Sequence, residues 1–339
     1  MGAQPSDTAP HKNPTLADVA AAAGVSIATA SKALSNRYDV AETTKVRVLE
    51  AAEELSFSPN LLARGLLGGR TQSVGIITSD LEGRFSLPIM MGAEGAMAAD
   101  RSTVLLSNSR GNPELELQHA KALLSRRVDG LLLVGDTPEP RPPLRLQTVV
   151  PVVYVYAPSQ DPADTSFVCD NAASAKLATE RLIGAGRRAI VHLGGPAQSL
   201  AAIDRAEGTR LAAAAAGLEL IGGAPAMGDW HETWGWSSVH RLLDEANEFD
   251  ALVCGNDQIA RGAMDALEAR GLRVPGDVAL IGFDNWSVLC ADVRRPFSSV
   301  DLNLDGLGRA AIQTLITPGA PVAGIHKLSG LIVDRGSIE

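Results

Sequence analysis

Two groups of side chains in this 339-residue sequence have types and spacings that suggest chemistry. The first is compact. Residues 26–32 read SIATASK, and on a helix Ile27, Ala28, Ser31 and Lys32 share one face. Apolar groups such as Ile27 and Ala28 can meet thymine methyls, and Lys32 can donate to guanine O6 and N7. Thr29, Ser31 and the amides of a helix start at Ser26 suit phosphate oxygens. The second group is dispersed: Asp170, Arg205, Trp230, Asn256 and Asp284 each follow an apolar run or a glycine-rich loop. Carboxylates and an amide pair with hydroxyls, a guanidinium fixes two oxygens, and an indole face covers the C–H side of a sugar ring. That set suits a polyol; a nucleobase or a phosphorylated metabolite is also open. Asp170 and its like, Asp257, read equally well as caps of the helices they precede, and Trp230 as packing.

The first group needs a frame that offers one helix to a groove. Thr15 with Asp18 three positions on has the form of a capping box, and Leu16, Val19 and Ala20 fall on one helical face. Ala23-Gly24-Val25 is a tight turn, with Gly24 placed for positive φ. Ser26 then caps a second helix, whose Ala30, Ala33 and Leu34 can face inward. A third helix over about 42–55 supplies Val48, Ala51, Ala52 and Leu55 beneath the pair. This is a helix-turn-helix, expected over 14–58, behind a disordered tail at 1–13. Singly, Ile27 reads as core and Lys32 as a solvated charge; the turn and the ordered helices weigh against both.

The second group needs open α/β sheets. After Gly68-Gly69-Arg70-Thr71 the pattern becomes short apolar strands alternating with amphipathic helices. Strands are expected at 74–78, 104–107, 130–134, 149–156, 190–193, 251–254 and 278–283. Helices are expected at 114–126, 172–185, 204–216, 233–246, 258–270 and 304–315. So much alternation exceeds one sheet and implies two doubly wound parallel-sheet lobes. Asp170, Asn256 and Asp284 then sit at the C-terminal ends of strands, where such sheets bind ligands.

Composition narrows the function. The net charge of −9 belongs to the body, because residues 1–72 hold seven Lys or Arg and seven Asp or Glu. A neutral head attracts nucleic acid only modestly and relies on specific contacts and pairing. Cys169, Cys254 and Cys290 form no C-x-x-C pair and imply neither a disulfide framework nor a metal site. No run approaches a membrane span and the N-terminus lacks the apolar core of a signal peptide, so a cytoplasmic location is expected. There is no G-x-S-x-G elbow or P-loop, and Gly184-Ala185-Gly186 lacks the third glycine of a dinucleotide fingerprint, so neither an enzyme nor a cofactor is expected.

The ordered blocks DVA-x-x-AGVS from Asp18, T-x-SKALSN from Thr29, T-x-x-x-V-x-x-AA-x-EL from Thr44 and SPN-x-x-AR-x-L from Ser58 carry a resemblance. The head resembles the LacI/GalR family of bacterial transcriptional regulators, and RVDGLLL, GNDQIARGAMDALEARG and VPGDVALIGFD continue it through the body. The resemblance implies an all-α helix-turn-helix head plus an α/β core whose two lobes are of the periplasmic-binding-protein-like type. It puts the first lobe at about 72–160 and 293–320 and the second at about 161–292 and 321–339. It implies a palindromic double-stranded DNA operator and a homodimer, with a tetramer open. A small-molecule effector, most simply a sugar, would release a repressor, or an effector would act as corepressor.

On the family pattern, DNA contacts fall on Thr15, Ser26, Ile27, Ala28, Thr29, Ser31, Lys32, Asn36 and Thr44. A hinge helix within 59–71 adds Asn60, Ala63, Arg64 and the wedge Leu66, which would enter the central base step of the minor groove. Effector contacts fall on Arg84, Phe85, Asp170, Arg205, Trp230, Asn256 and Asp284. Two departures stand out: Ala41 replaces the usual Ser or Thr cap of the third helix, and Ala30 the usual valine.

Overall fold

The computed structural model describes residues 14–34, 40–57, 71–81, 83–98, 102–317, 319 and 321–339. The chain divides into two compact units, residues 1–71 and 72–339. Asn36, Asn60, Ala63, Arg64 and Leu66, and with them the expected hinge helix, lie outside the described residues.

In the first unit α1 (Leu16–Ala22), α2 (Ile27–Leu34) and α3 (Glu42–Glu54) enclose a core of small side chains. Val19, Ala20, Ala30, Ala33, Val48, Ala51 and Ala52 are buried together, and alanine lets the helices approach closely. The capping box forms: the Thr15 amide donates to Asp18 Oδ2 at 2.7 Å and the Asp18 amide returns to Thr15 Oγ1 at 3.4 Å. Gly24 takes φ +63°, and Ser26 Oγ accepts the Thr29 amide at 3.1 Å. At α3 the Ala41 side chain makes no cap. Ala41→Ser is therefore expected to raise the thermal midpoint of the head, by about 1 kcal/mol of stability, with operator affinity unchanged. An unchanged midpoint in a calorimetric scan would show that water or a neighbour already satisfies those amides.

The second unit holds two sheets. The first has order β10-β5-β4-β3-β1-β2 and is parallel throughout, from β1 (Ser73–Thr78), β2 (Thr103–Asn108), β3 (Gly130–Val134), β4 (Val152–Val155), β5 (Thr165–Asp170) and β10 (Gly324–Ser329). The second has order β11-β9-β8-β7-β6, from β6 (Ile190–Leu193), β7 (Ala251–Cys254), β8 (Ala279–Phe283), β9 (Ser298–Asp301) and β11 (Leu331–Val333). Only β11 runs antiparallel, against β9. Central strands such as β3 and β8 are buried along their whole length, as sheets covered on both faces require.

The covering helices are α4 (Ser86–Ala98), α5 (Pro113–Ser125), α6 (Asn171–Gly184), α7 (Leu200–Ala215), α8 (Glu232–Asp244), α9 (Asp257–Ala269), α10 (Ser287–Cys290) and α11 (Leu304–Ile316). They pair as α4 with α11, α6 with α7 and α8 with α9. No helix among the described residues is long and apolar enough to cross a membrane.

The lobe boundaries differ from the expected ones. Thr165–Asp170, expected in the second lobe, pairs with β4 in the first sheet, so the chain first crosses at Asp170–Asn171. Ser298–Asp301 pairs with β8 in the second sheet, and Gly324–Ser329 pairs with β5 in the first. The other crossings therefore lie at 302–303 and at Gly330. The loop that carries Pro158 and Pro162 turns back within the first lobe, where Ser159 Oγ donates to Asp164 Oδ2 at 2.6 Å and the Ser159 amide to Ser166 Oγ at 3.1 Å. The strand expected over 149–156 shortens to Val152–Val155, and Val149 is fully exposed.

Candidate functional site

On α2 the side chains Ala28 and Lys32 are exposed, and Ile27 is 54% exposed although it is a large apolar residue. Ser31 is half-buried, so it offers the groove less than the helical projection implied. Thr29 is half-buried too, its hydroxyl 2.8 Å from Ser26 Oγ, which orients the pair at the helix start. Thr15 is exposed at the start of α1, and Thr44 is half-buried in the first turn of α3. Ile27 opens α2 and Lys32 lies in its last turn, so an apolar and a cationic side chain share one exposed face of the helix.

In the second unit a cavity of about 620 Å³ opens between the C-terminal ends of the two sheets. Six of the seven expected contacts line it: Arg84, Phe85, Arg205, Trp230, Asn256 and Asp284. Asp170 does not. Its carboxylate caps α6 instead, accepting the Ala173 amide at 3.0 Å. The short stretch from β5 into α6 leaves the side chain facing its own helix, where the unpaired amides need an acceptor.

Asp284 is the centre of the site. It sits just past β8 with φ +93°, followed by Asn285 at φ +49°, so two consecutive residues are left-handed. Its Oδ2 accepts from Arg84 Nη2 at 2.7 Å and its Oδ1 lies 3.4 Å from Arg205 Nη1. Arg84 belongs to the loop after β1 in the first lobe, whereas Asp284 and Arg205 belong to the second, so the Arg84–Asp284 pair joins the two lobes. Arg205 is buried to 3% exposure; its Nε donates to Asn171 Oδ1 at 2.9 Å and its Nη1 to the Gly255 carbonyl at 2.6 Å. Its guanidinium also lies over Phe283, 4.7 Å from the ring centroid. Arg84 stacks between Phe85 at 4.6 Å and Trp286 at 4.7 Å, and its Nη1 is buried with no partner among the described residues. A ligand hydroxyl or water at that point would satisfy it.

Asn256 caps α9 through its Oδ1, which accepts the Ile259 amide at 2.8 Å, and its Nδ2 donates to the Trp230 carbonyl at 3.2 Å. It thereby ties the tryptophan loop to the helix. The Trp230 ring lies on Gly195, where a Cβ would come within 2.4 Å of the indole; only glycine lets the ring lie flat there. Neighbouring His231 is the N-cap residue of α8, makes no side-chain cap, and does not line the cavity.

Several wall residues were not anticipated. Tyr156, at φ +73°, stacks on Phe85 with ring centroids 5.3 Å apart, and burial pushes its phenol far above the ordinary range. Asp136 and Glu139 follow β3, and Glu139 Oε1 accepts the Leu200 amide at the start of α7 at 3.4 Å, a second link between lobes. The strand-end rule that found Asp284 applies equally to Asp136 and Glu139, which follow β3. Asp257 is fully buried beneath the cavity, its carboxyl raised to about 7 by burial and then by Asp284. The three cysteines are buried and free, with thiols pushed up by burial, which makes them inert packing groups. Among the described residues no cluster of His, Cys, Asp or Glu could hold a metal ion.

Comparison with known proteins fits this geometry. Residues 15–60 match the model of bacterial regulatory proteins of the lacI family, and residues 179–338 match a periplasmic binding protein-like domain. The transcriptional regulator CelR of Thermobifida fusca is 32% identical over 314 residues, which is 90% of this chain and 92% of that protein. The ribose operon repressor of Escherichia coli K12 is 32% identical over 330 residues, covering 95% and 99%. The chain belongs to the LacI family of bacterial regulatory proteins. Among solved structures, the lac repressor dimer bound to operator and the anti-inducer ONPF is similar with a TM-score of 0.72 at 27% identity, covering 96% of this chain and 99% of that one. As a LacI-family chain, the protein is a DNA-binding transcriptional regulator with a helix-turn-helix head and a two-lobed α/β core; its family is one of regulators and not of enzymes.

Proposed function

We propose that this regulator is a repressor that binds a palindromic operator as a homodimer and is released when a small polyol, a sugar, occupies the cleft. The observation that carries the reading is the bridge Arg84–Asp284–Arg205 across a cavity walled by Phe85, Tyr156 and Trp230. Paired charges present donors and acceptors to hydroxyls, and the rings present faces to C–H groups. About 620 Å³ suits one or two sugar rings. Relatives agree in kind: a CelR–cellobiose complex is similar at TM-score 0.58, and the lac repressor bound to ONPG at 0.72. Pairing has a surface available, since α4 exposes Leu87 at 52% and Met91 at 62% one helical turn apart. Two-fold pairing would place two α2 helices in successive major grooves, with the 59–71 segment as the hinge between head and core.

The deciding experiment selects an operator from random duplexes and titrates the complex with sugars and with purines. Release by a sugar supports the proposal; tightening by any ligand makes the protein a corepressor-dependent regulator instead. Lys32→Ala is expected to weaken operator binding about tenfold or more while leaving binding to random DNA nearly unchanged, because a bidentate base contact contributes about 1–3 kcal/mol of discrimination. Equal loss on both DNAs, measured by fluorescence anisotropy, would mark Lys32 as a phosphate contact.

A further inference from the structure

We infer that Asp257 is a positioning residue for the cleft: it holds the Asp284–Trp286 loop in its left-handed shape, and proton uptake at its carboxylate loosens that loop. The inference rests on the reading of the cleft as the effector site only for its consequence, since the geometry stands without any ligand.

The loop is anchored at three successive amides. Asp284 donates to the Val300 carbonyl at 2.9 Å, which is ordinary strand pairing. Trp286 donates directly to Asp257 Oδ2 at 2.7 Å. Asn285 donates to Ser299 Oγ at 3.0 Å, and that hydroxyl donates to Asp257 Oδ1 at 2.6 Å. Two of the three amides therefore lead to one carboxylate. Gly282 leaves the space this carboxylate fills: a Cβ there would lie 2.3 Å from Asp257 Oδ1. Asp257 opens α9 from the position after Asn256, so the carboxylate, the cap and the Trp230 loop form one connected piece.

Both hydrogen bonds at this carboxylate are donated to it, by the Ser299 hydroxyl and the Trp286 amide. An ionised carboxylate accepts both, whereas a proton on Oδ2 would confront the Trp286 amide and one on Oδ1 would turn the Ser299 hydroxyl away from it. Burial and Asp284 oppose the charge; the donors favour it, and the balance lies at about 7. The other charged or titratable groups around it are accounted for. Arg84 and Arg205 are engaged with Asp284, Arg335 Nη2 with Asn285 Oδ1 at 2.5 Å, and Arg261 with the Leu289 and Arg295 carbonyls. From β7 the Cys254 thiol faces it, pushed up by burial and stays protonated.

Loosening would be felt at the site, because Trp286 stacks on Arg84 and the loop carries Asp284. It follows that effector capture weakens as pH falls below neutrality. The test uses the full-length protein labelled with 5-fluorotryptophan, whose Trp286 resonance is assigned from Trp286→Phe and followed from pH 5.5 to 8.5. The wild type should show a reversible shift centred near 7. Asp257→Asn, which keeps the shape but presents a donor, should hold the low-pH position throughout. Ser299→Ala, a mild change, should move the midpoint up by about one unit, the worth of one hydrogen bond to a charge. A flat wild-type profile, or an unmoved midpoint in Ser299→Ala, or a transition retained in Asp257→Asn, would overturn the inference. If the transition behaves as expected but neither sugars nor purines change operator binding, the effector reading fails and the positioning role stands.

Discussion

Asp284→Asn is expected to abolish the effector response and to lower stability by about 3 kcal/mol, with operator binding retained. The stability loss follows from geometry: the Asp284 side chain is 3% exposed and stands between Arg205, at 4%, and Arg84, at 25%. Removing one partner of a buried pair leaves uncompensated charge and costs about 3–5 kcal/mol. The lower end applies because Arg205 keeps Asn171 and the Gly255 carbonyl, and Arg84 has partial access to water. Asparagine is the right probe because position 284 has φ +93°, where Asn is among the best tolerated side chains and alanine would add backbone strain. Urea denaturation reads the stability, and an operator-release titration reads the response; a wild-type response would remove Asp284 from the site. The same change should move the Asp257 transition to lower pH, since the Asp284 charge is one of the two causes that raise it.

Asp284 was legible in the sequence because an isolated carboxylate after a buried apolar run has few purely structural uses. The same rule picked out Asp170, which caps α6 and does not line the cavity. Both follow strands, but Asp170 passes straight into α6 and meets that helix's unpaired amides, while Asp284 enters a left-handed turn that points it at Arg84 and Arg205. Local sequence does not separate a cap from a ligand contact when each is a carboxylate at a strand end. The interior of the head was legible for the opposite reason: its signals are local, from the Thr15–Asp18 box to Gly24 and the alanine stripe of α2.

What the sequence hid is long-range. Arg84 and Asp284 are 200 residues apart, and nothing in either segment names the other. The lobe crossings were misplaced because no local signal marks a change of sheet; the strands Thr165–Asp170 and Gly324–Ser329 pair only with each other and with β4. Helix α4 escaped notice because SLPIMMGAEGAMA is apolar nearly all round, which erases the helical period. That uniformity has a cause in the packing: α4 lies against α11 with Gly92 and Ala93 turned toward that helix.

The α4–α11 contact gives the second large expectation, a reversal of sign between two glycines. In a helix interior, Gly→Ala ordinarily stabilises by about 1 kcal/mol. Gly95 should obey, since a Cβ there meets nothing within 4 Å, so Gly95→Ala should raise the melting temperature slightly. Gly308→Ala should lower stability by about 2–3 kcal/mol, because its Cβ would lie 1.9 Å from the Ile89 carbonyl oxygen, an atom of helix backbone that cannot swing aside. Gly92 meets the Asp305 carbonyl in the same way at 2.0 Å, so the two helices touch backbone to backbone at two points and must separate to admit a methyl. Helix α4 begins directly after Arg84 and Phe85, and α11 directly after the second crossing. A displacement at Gly308 therefore reaches the cleft through α4, and Gly308→Ala should weaken effector response more than its stability loss accounts for. Equal melting temperatures for the two variants would mean that the helices yield at no cost; a stability loss with an unaltered effector midpoint would mean that α4 does not carry the position of Arg84.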